Sequence, residues 1–126
     1  MTRRVVESKR GASGLPYSVA VWAGDLLYLS GQTPVNPATG ELIDGDIAAQ
    51  THRVFDNLEL VVGDAGLSMN DVIKCNVYLA DMDDFSAMNV AYAKRFTKPY
   101  PARTTVAVSA LPRGAQVEIE MVAKRA

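Results

Sequence analysis

The chain has 126 residues, 48% of them hydrophobic and 21% charged, proportions that fit one folded domain over residues 1–126 and exclude a disordered chain. Thirteen Lys and Arg against fourteen Asp and Glu leave a net charge of -1, so no overall positive field is available to hold a polyanion, and nucleic acid ranks low among the expected partners. One Cys and one His exclude a Cys/His zinc site, a CxxC redox pair and any triad that does not rest on His52. Chemistry must come from carboxylates, Arg, Tyr, Ser or backbone groups.

The first ten residues are basic, but Gly11, Ala12, Ser13 and Gly14 follow where a secretory leader would carry its apolar stretch. No apolar run approaches the ~20 residues of a membrane helix. A cytoplasmic protein is expected. Ser18 to Trp22 and Leu26 to Ser30 read as a hairpin turned at Ala23-Gly24-Asp25, with Arg4 to Glu7 as a candidate third strand. Asn36-Pro-Ala-Thr-Gly-Glu41 is loop chemistry.

From Asp46 the apolar positions Ile47, Val54, Phe55, Leu58, Val61, Val62 and Ala65 recur at three- and four-residue spacings, and Gly66 supplies a stop. This is an amphipathic helix of about five turns. Val72 to Leu79 alternates as a strand, with Ile73, Cys75, Val77 and Leu79 on its more apolar side and Val72, Asn76 and Tyr78 opposite. A second helix follows, capped by Asp81 or Asp83, with Phe85, Met88, Tyr92, Ala93 and Phe96 as its stripe. Pro99-Tyr100-Pro101 ends it. Arg103 to Ser109 and Gln116 to Lys124 complete the chain as strands.

The expected fold is α+β, a single mixed β-sheet with two helices on one face, because right-handed crossovers place both on the same side. The other face carries Glu118, Glu120 and Val122 from the last strand. A half-apolar open face of this kind predicts a homo-oligomer with its site near the subunit junction.

Two constellations carry chemistry. Arg103 opens a strand after a rigid Pro-Tyr-Pro turn, among small neighbours that do not neutralise it. Arginine suits two-pronged carboxylate recognition, although by itself Arg103 reads first as a solvated or structurally paired cation. Glu118 and Glu120 share one strand face, where burial or mutual repulsion could make one a useful base. Unaided, they read first as an exposed acidic face. His52 reads as a solvated surface residue, Cys75 as core, and Trp22 either as the lip of a ligand site or as hairpin packing.

Taken in order, Pro16-Tyr17-Ser18, Leu29-Ser30-Gly31-Gln32-Thr33-Pro34, Asn36-Pro37, Gly40-Glu41, Asp56-Asn57-Leu58, Asp84-Phe85, Asn89, Pro101-Ala102-Arg103 and Val117-Glu118-Ile119-Glu120 resemble the Rid family, also called the YjgF family. The resemblance covers nearly the whole chain. It implies a chorismate mutase-like fold, a homotrimer with sites at subunit junctions, and cofactor-free and metal-free hydrolysis of small 2-imino acids such as 2-aminoacrylate and 2-iminobutanoate to 2-keto acids. Carried over, it implies that Arg103 and the Gly31 N–H grip the substrate carboxylate, that Glu118 activates water and that Glu120 is its structural partner. Tyr17, Ser30, Asn89 and Thr105 fall at pocket positions. The chain departs from the family pattern at Leu15, where glycine is usual, at Val19, where glutamine is common, and at Thr105, where cysteine is common. A carboxylate-binding protein without turnover is the alternative, and an RNA-directed or protein-holding activity ranks below it.

Overall fold

A computed structural model describes residues 2–8 and 14–126. Gly11, Ala12 and Ser13, which stand where a secretory leader would carry its apolar stretch, lie outside the described residues. The strands are β1 (Arg4–Val5), β2 (Ala20–Ala23), β3 (Leu26–Gln32), β4 (Val72–Leu79), β5 (Ala102–Ala107) and β6 (Val117–Lys124); the helices are α1 (Ile47–Asp64) and α2 (Phe85–Ala93). They form one six-stranded sheet in the order β1-β2-β3-β6-β4-β5. Only β4 and β5 pair in parallel; the other neighbours are antiparallel. The expected α+β sheet with two helices is therefore observed.

Helix α1 begins where Asp46 accepts a hydrogen bond from the Ala49 N–H at 2.9 Å and ends at Ala65, with Gly66 at φ +80° just beyond. Its buried stripe, Ile47, Val54, Phe55, Leu58, Val61 and Val62, lies against β3 and β6 and meets α2. Leu27, Leu29, Cys75, Val77, Leu79, Val117, Ile119 and Met121 supply the sheet side of this core, and Met88 and Tyr92 the α2 side. Both helices thus cover one face, as the crossover rule requires. Asp46→Ala should cost about 1 kcal/mol, read as a lower urea midpoint with an unchanged slope.

Two local readings are corrected. The β4/β6 register shifts between Val72 and Lys74, so an extra residue interrupts the alternation: Val72 turns into the core and Ile73 is 45% exposed. A bulge between two apolar residues reverses which of them is buried. Helix α2 stops at Ala93 and not near Pro99. The Arg95 N–H closes on the Tyr92 carbonyl at 3.0 Å, and the Arg95 guanidinium is drawn to Asp56 and Glu59 on α1 at 2.8 and 2.9 Å. Phe96 consequently enters the core from a loop, edge-on to Phe55. No helix of the described residues is long and apolar enough to cross a membrane.

Candidate functional site

Strand β3 is irregular where the sequence places Ser30 and Gly31. Leu29 pairs with Met121 and Gln32 with Ile119, so Ser30 and Gly31 together face one residue of β6, Glu120. Ser30 is fixed by its hydroxyl, which donates to the Ser18 carbonyl at 2.6 Å, and by its N–H, which donates to the Val19 carbonyl. Gly31 is required for a different reason: a Cβ there would lie 2.3 Å from Glu118 Oε2. The Glu118 carboxylate is therefore seated directly on the bulged backbone.

Around this seat opens a cleft of about 760 Å³, whose walls include Tyr17, Ser30, Gly31, Thr33, Arg113 and Glu118. Its floor depends on Asn57 of α1, a buried amide that donates to the carbonyls of Thr33 and Val35 at 3.2 and 2.9 Å. Those bonds explain why an asparagine occurs within an otherwise apolar helix stripe: it ties the loop after β3 to α1. Gln50 does the same for β6, accepting from the Gln116 N–H at 2.9 Å. Glu118 is half-buried, and burial first, then the charge of Glu120, push its carboxyl above the usual glutamate range.

Gly31→Ala tests the seat. The obstructed group is the end of a flexible side chain that can swing aside, so stability should fall by no more than about 1 kcal/mol. Placement of the Glu118 carboxylate should be lost, read as a collapse of any Glu118-dependent activity at nearly unchanged melting temperature.

A second constellation forms between β5 and α2. Arg103 lies on the helix-covered side, its guanidinium carbon 4.7 Å from the centre of the Tyr92 ring and 5.6 Å from that of Phe85. No carboxylate among the described residues lies within ion-pair distance of it. On α2 and β5, Asn89 Oδ1 and Thr105 Oγ1 are buried without hydrogen-bond partners among the described residues. A cation held over two rings, with unsatisfied polar atoms on the same strand and helix, is an arrangement suited to a polar anion. Cys75 stands opposite Arg103 in the parallel register. Burial drives its thiol up to about 11, which keeps it protonated, and burial also raises the Tyr92 phenol beside it.

The predicted site residues thus fall into two groups. Tyr17, Ser30, Gly31 and Glu118 share the cleft; Arg103 and Thr105 lie apart from it on β5, and Asn89 on α2, the helix whose Phe85 and Tyr92 rings lie under Arg103. Strand β4 separates the two carrier strands, and Arg103 aligns through Cys75 with Met121, three residues beyond Glu118. Their backbones are therefore roughly 14 Å apart, with side chains on opposite faces of the sheet.

Several contributors escaped sequence reading. Tyr92 reads in the sequence only as part of a core stripe, Phe85 as part of that stripe and of a motif, and Asn57 only as part of a motif; Arg113 carries no functional signal. Trp22 lines neither group; it lies against Arg4 and Arg125. His52 is not simply solvated: it is half-buried, and Arg95 Nη1 lies 3.3 Å from its Nδ1. No cluster of three or more His, Cys, Asp or Glu side chains suited to a metal ion occurs among the described residues.

These features define a class, a small α+β protein with helices on one sheet face and polar side-chain clusters on two different surfaces. The sequence profile of the family described as Endoribonuclease L-PSP matches residues 8–125. The chain is 44% identical over 126 residues to Protein DfrA of Myxococcus xanthus, an alignment covering 98% of this chain and 96% of that one. It is 42% identical over 107 residues to the 2-iminobutanoate/2-iminopropanoate deaminase of Dermatophagoides farinae, covering 85% and 84%. The crystal structure of RidA from an Antarctic Psychrobacter superposes with a TM-score of 0.91 at 40% identity, covering 98% of this chain and all of that one, at 100%. The chain belongs to the Rid family, also called the YjgF family.

Proposed function

We propose that residues 1–126 act as one Rid domain that hydrolyses small 2-imino acids to 2-keto acids and ammonia, at a site completed by a second copy of the chain. The observation that carries this reading is the separation just described. An unpaired arginine and a seated, partly desolvated carboxylate are the two groups such a hydrolysis needs, yet one chain points them apart. A four-carbon imino acid spans roughly 5 Å, so both can reach it only if the β5/α2 groove of one protomer meets the cleft of its neighbour. Three copies closed in a ring give each junction one such site, and the contact covers open-face residues such as Tyr28, which is 50% exposed.

In this arrangement Arg103 of one protomer and the Gly31 N–H of the next hold the carboxylate. Asn89 and Thr105 offer polar atoms on one side of the junction, Ser30 and Tyr17 on the other. Glu118 takes a proton from water as the water oxygen bonds to the imine carbon, and solvent protonates the imine nitrogen. The adduct hydroxyl then loses its proton to solvent, returning the one taken earlier, and its oxygen electrons form the keto C=O as the C–N bond breaks, with the proton on Glu118 passed to the departing nitrogen, which leaves as ammonia. An imine is already electrophilic, so positioning and one base suffice. The identity to a deaminase-named relative supports the substrate class.

The test is keto-acid formation from 2-aminoacrylate or 2-iminobutanoate generated in situ by a serine or threonine dehydratase, against the uncatalysed background. Hydrolysis above background is expected. A rate equal to background on both imines would overturn the assignment.

A further inference from the structure

We propose that Tyr78 is a positioning residue for Glu118 and acts through Glu120, whose carboxylate its phenol holds in place on the open face of the sheet. This rests on Glu118 being the base of the proposed hydrolysis. The β4/β6 pairing sets Tyr78 directly across from Glu118 and Asn76 across from Glu120. The phenol does not address its direct neighbour; it reaches diagonally and donates to Glu120 Oε1. Glu118 is thereby bounded by the Gly31 backbone on its β3 side and by Tyr78 on its β4 side, while Glu120, on the same face, is tethered.

The groups around Glu118 make that tether matter. From β4 come Tyr78 and Lys74, but Lys74 Nζ is turned to β5, donating to Thr104 Oγ1 at 3.1 Å. From β3 comes Tyr28, which pairs with Val122 further along β6. From the cleft walls come Tyr17 and Arg113, and Arg113 donates to the Gly40 carbonyl at 2.6 Å. Neither Lys74 nor Arg113 forms an ion pair with Glu118 among the described residues, so the nearest charged neighbour on its own strand face is Glu120.

A phenol that donates to Glu120 holds that carboxylate, and its charge, on the strand face it shares with Glu118. That charge adds to burial in raising the Glu118 carboxyl, and Glu118 is the group that must carry a proton during turnover. The hydrogen bond to Glu120 also raises the Tyr78 phenol to about 12, so Tyr78 remains a donor at every pH where the reaction is measured.

The test is the pH profile of kcat/KM for wild type, Tyr78→Phe, Glu120→Gln and the double variant. Tyr78→Phe frees the Glu120 carboxylate to swing away from Glu118, so the acid limb should move to lower pH by roughly half a unit or more, with kcat lowered less than about tenfold. Glu120→Gln should move it the same way, and adding Tyr78→Phe to Glu120→Gln should move it no further. An unmoved limb in Tyr78→Phe, or an equal shift with and without Glu120, would overturn the proposal, the second outcome assigning Tyr78 a merely structural role. NMR titration of a 13C-labelled Glu118 carboxyl in the same four proteins reads the shift without turnover. If wild type hydrolyses no imine, the proposed reaction fails while this titration still decides the role of Tyr78.

Discussion

Glu118→Gln is expected to lower turnover of a small 2-imino acid by about 10²–10⁴-fold while leaving the affinity for the corresponding 2-keto acid nearly unchanged. Glutamine fills the same seat against Gly31 but cannot take a proton from water. Steady-state kinetics beside a keto-acid titration separate the two effects. The wild-type pH profile should carry the same residue's signature. Because burial and Glu120 raise the Glu118 carboxyl, activity should be present above that raised value and be lost as pH falls through it, in a limb lying above the usual glutamate range. The stability consequence has the opposite sign. The folded state binds this proton more tightly than the unfolded state, so stability declines as pH rises from the unfolded to the folded value. Glu118→Gln removes that penalty and should raise the melting temperature at neutral pH, a gain in stability accompanying a loss of activity.

Arg103→Ala should raise KM and weaken keto-acid binding by about 10–100-fold, equivalent to one charge-assisted contact of roughly 1.5–3 kcal/mol. Arg103 has no carboxylate partner to leave stranded, so the fold should tolerate its removal. Arg103→Lys should recover little, because an ammonium neither presents two parallel N–H groups nor lies flat over the Tyr92 and Phe85 rings. Isothermal titration with a 2-keto acid measures all three proteins on one scale. Equal affinities would remove Arg103 from the site.

Much of the fold was legible because its signals are local. Asp46 and Gly66 bracket α1, the stripe from Ile47 to Val62 has helical spacing, and Val117 to Lys124 alternates without interruption. What escaped is either a single inserted residue or a relation between distant segments. Val72 and Ile73 are both apolar, so their order in the alternation does not reveal the bulge that exposes Ile73. A glycine inside a strand pattern is a bulge signal, and Gly31 carried one; what it could not show was that a carboxylate 87 positions later would occupy the missing Cβ. Similarly, Phe85 and Tyr92 have the spacing of core residues, and Tyr92 is one. Its second role under Arg103 depends on the parallel β4/β5 register, which no local pattern encodes. The residues of both clusters follow from motifs, but their division between two surfaces follows from strand order together with register.

That division is the centre of the account, and mixing two inactive proteins tests it most directly. Arg103→Ala chains retain an intact cleft and Glu118→Gln chains an intact groove, so each homo-oligomer lacks a complete site. Co-refolded in equal amounts, the two should regain roughly one quarter of wild-type turnover, the fraction of head-to-tail junctions that bring a native Arg103 to a native Glu118 in random assembly. Recovery near that level, absent when the separately assembled proteins are merely combined, is the predicted result. Mixed oligomers that form, as shown by native mass spectrometry, yet hydrolyse no more imine than their parents would contradict a site shared between subunits.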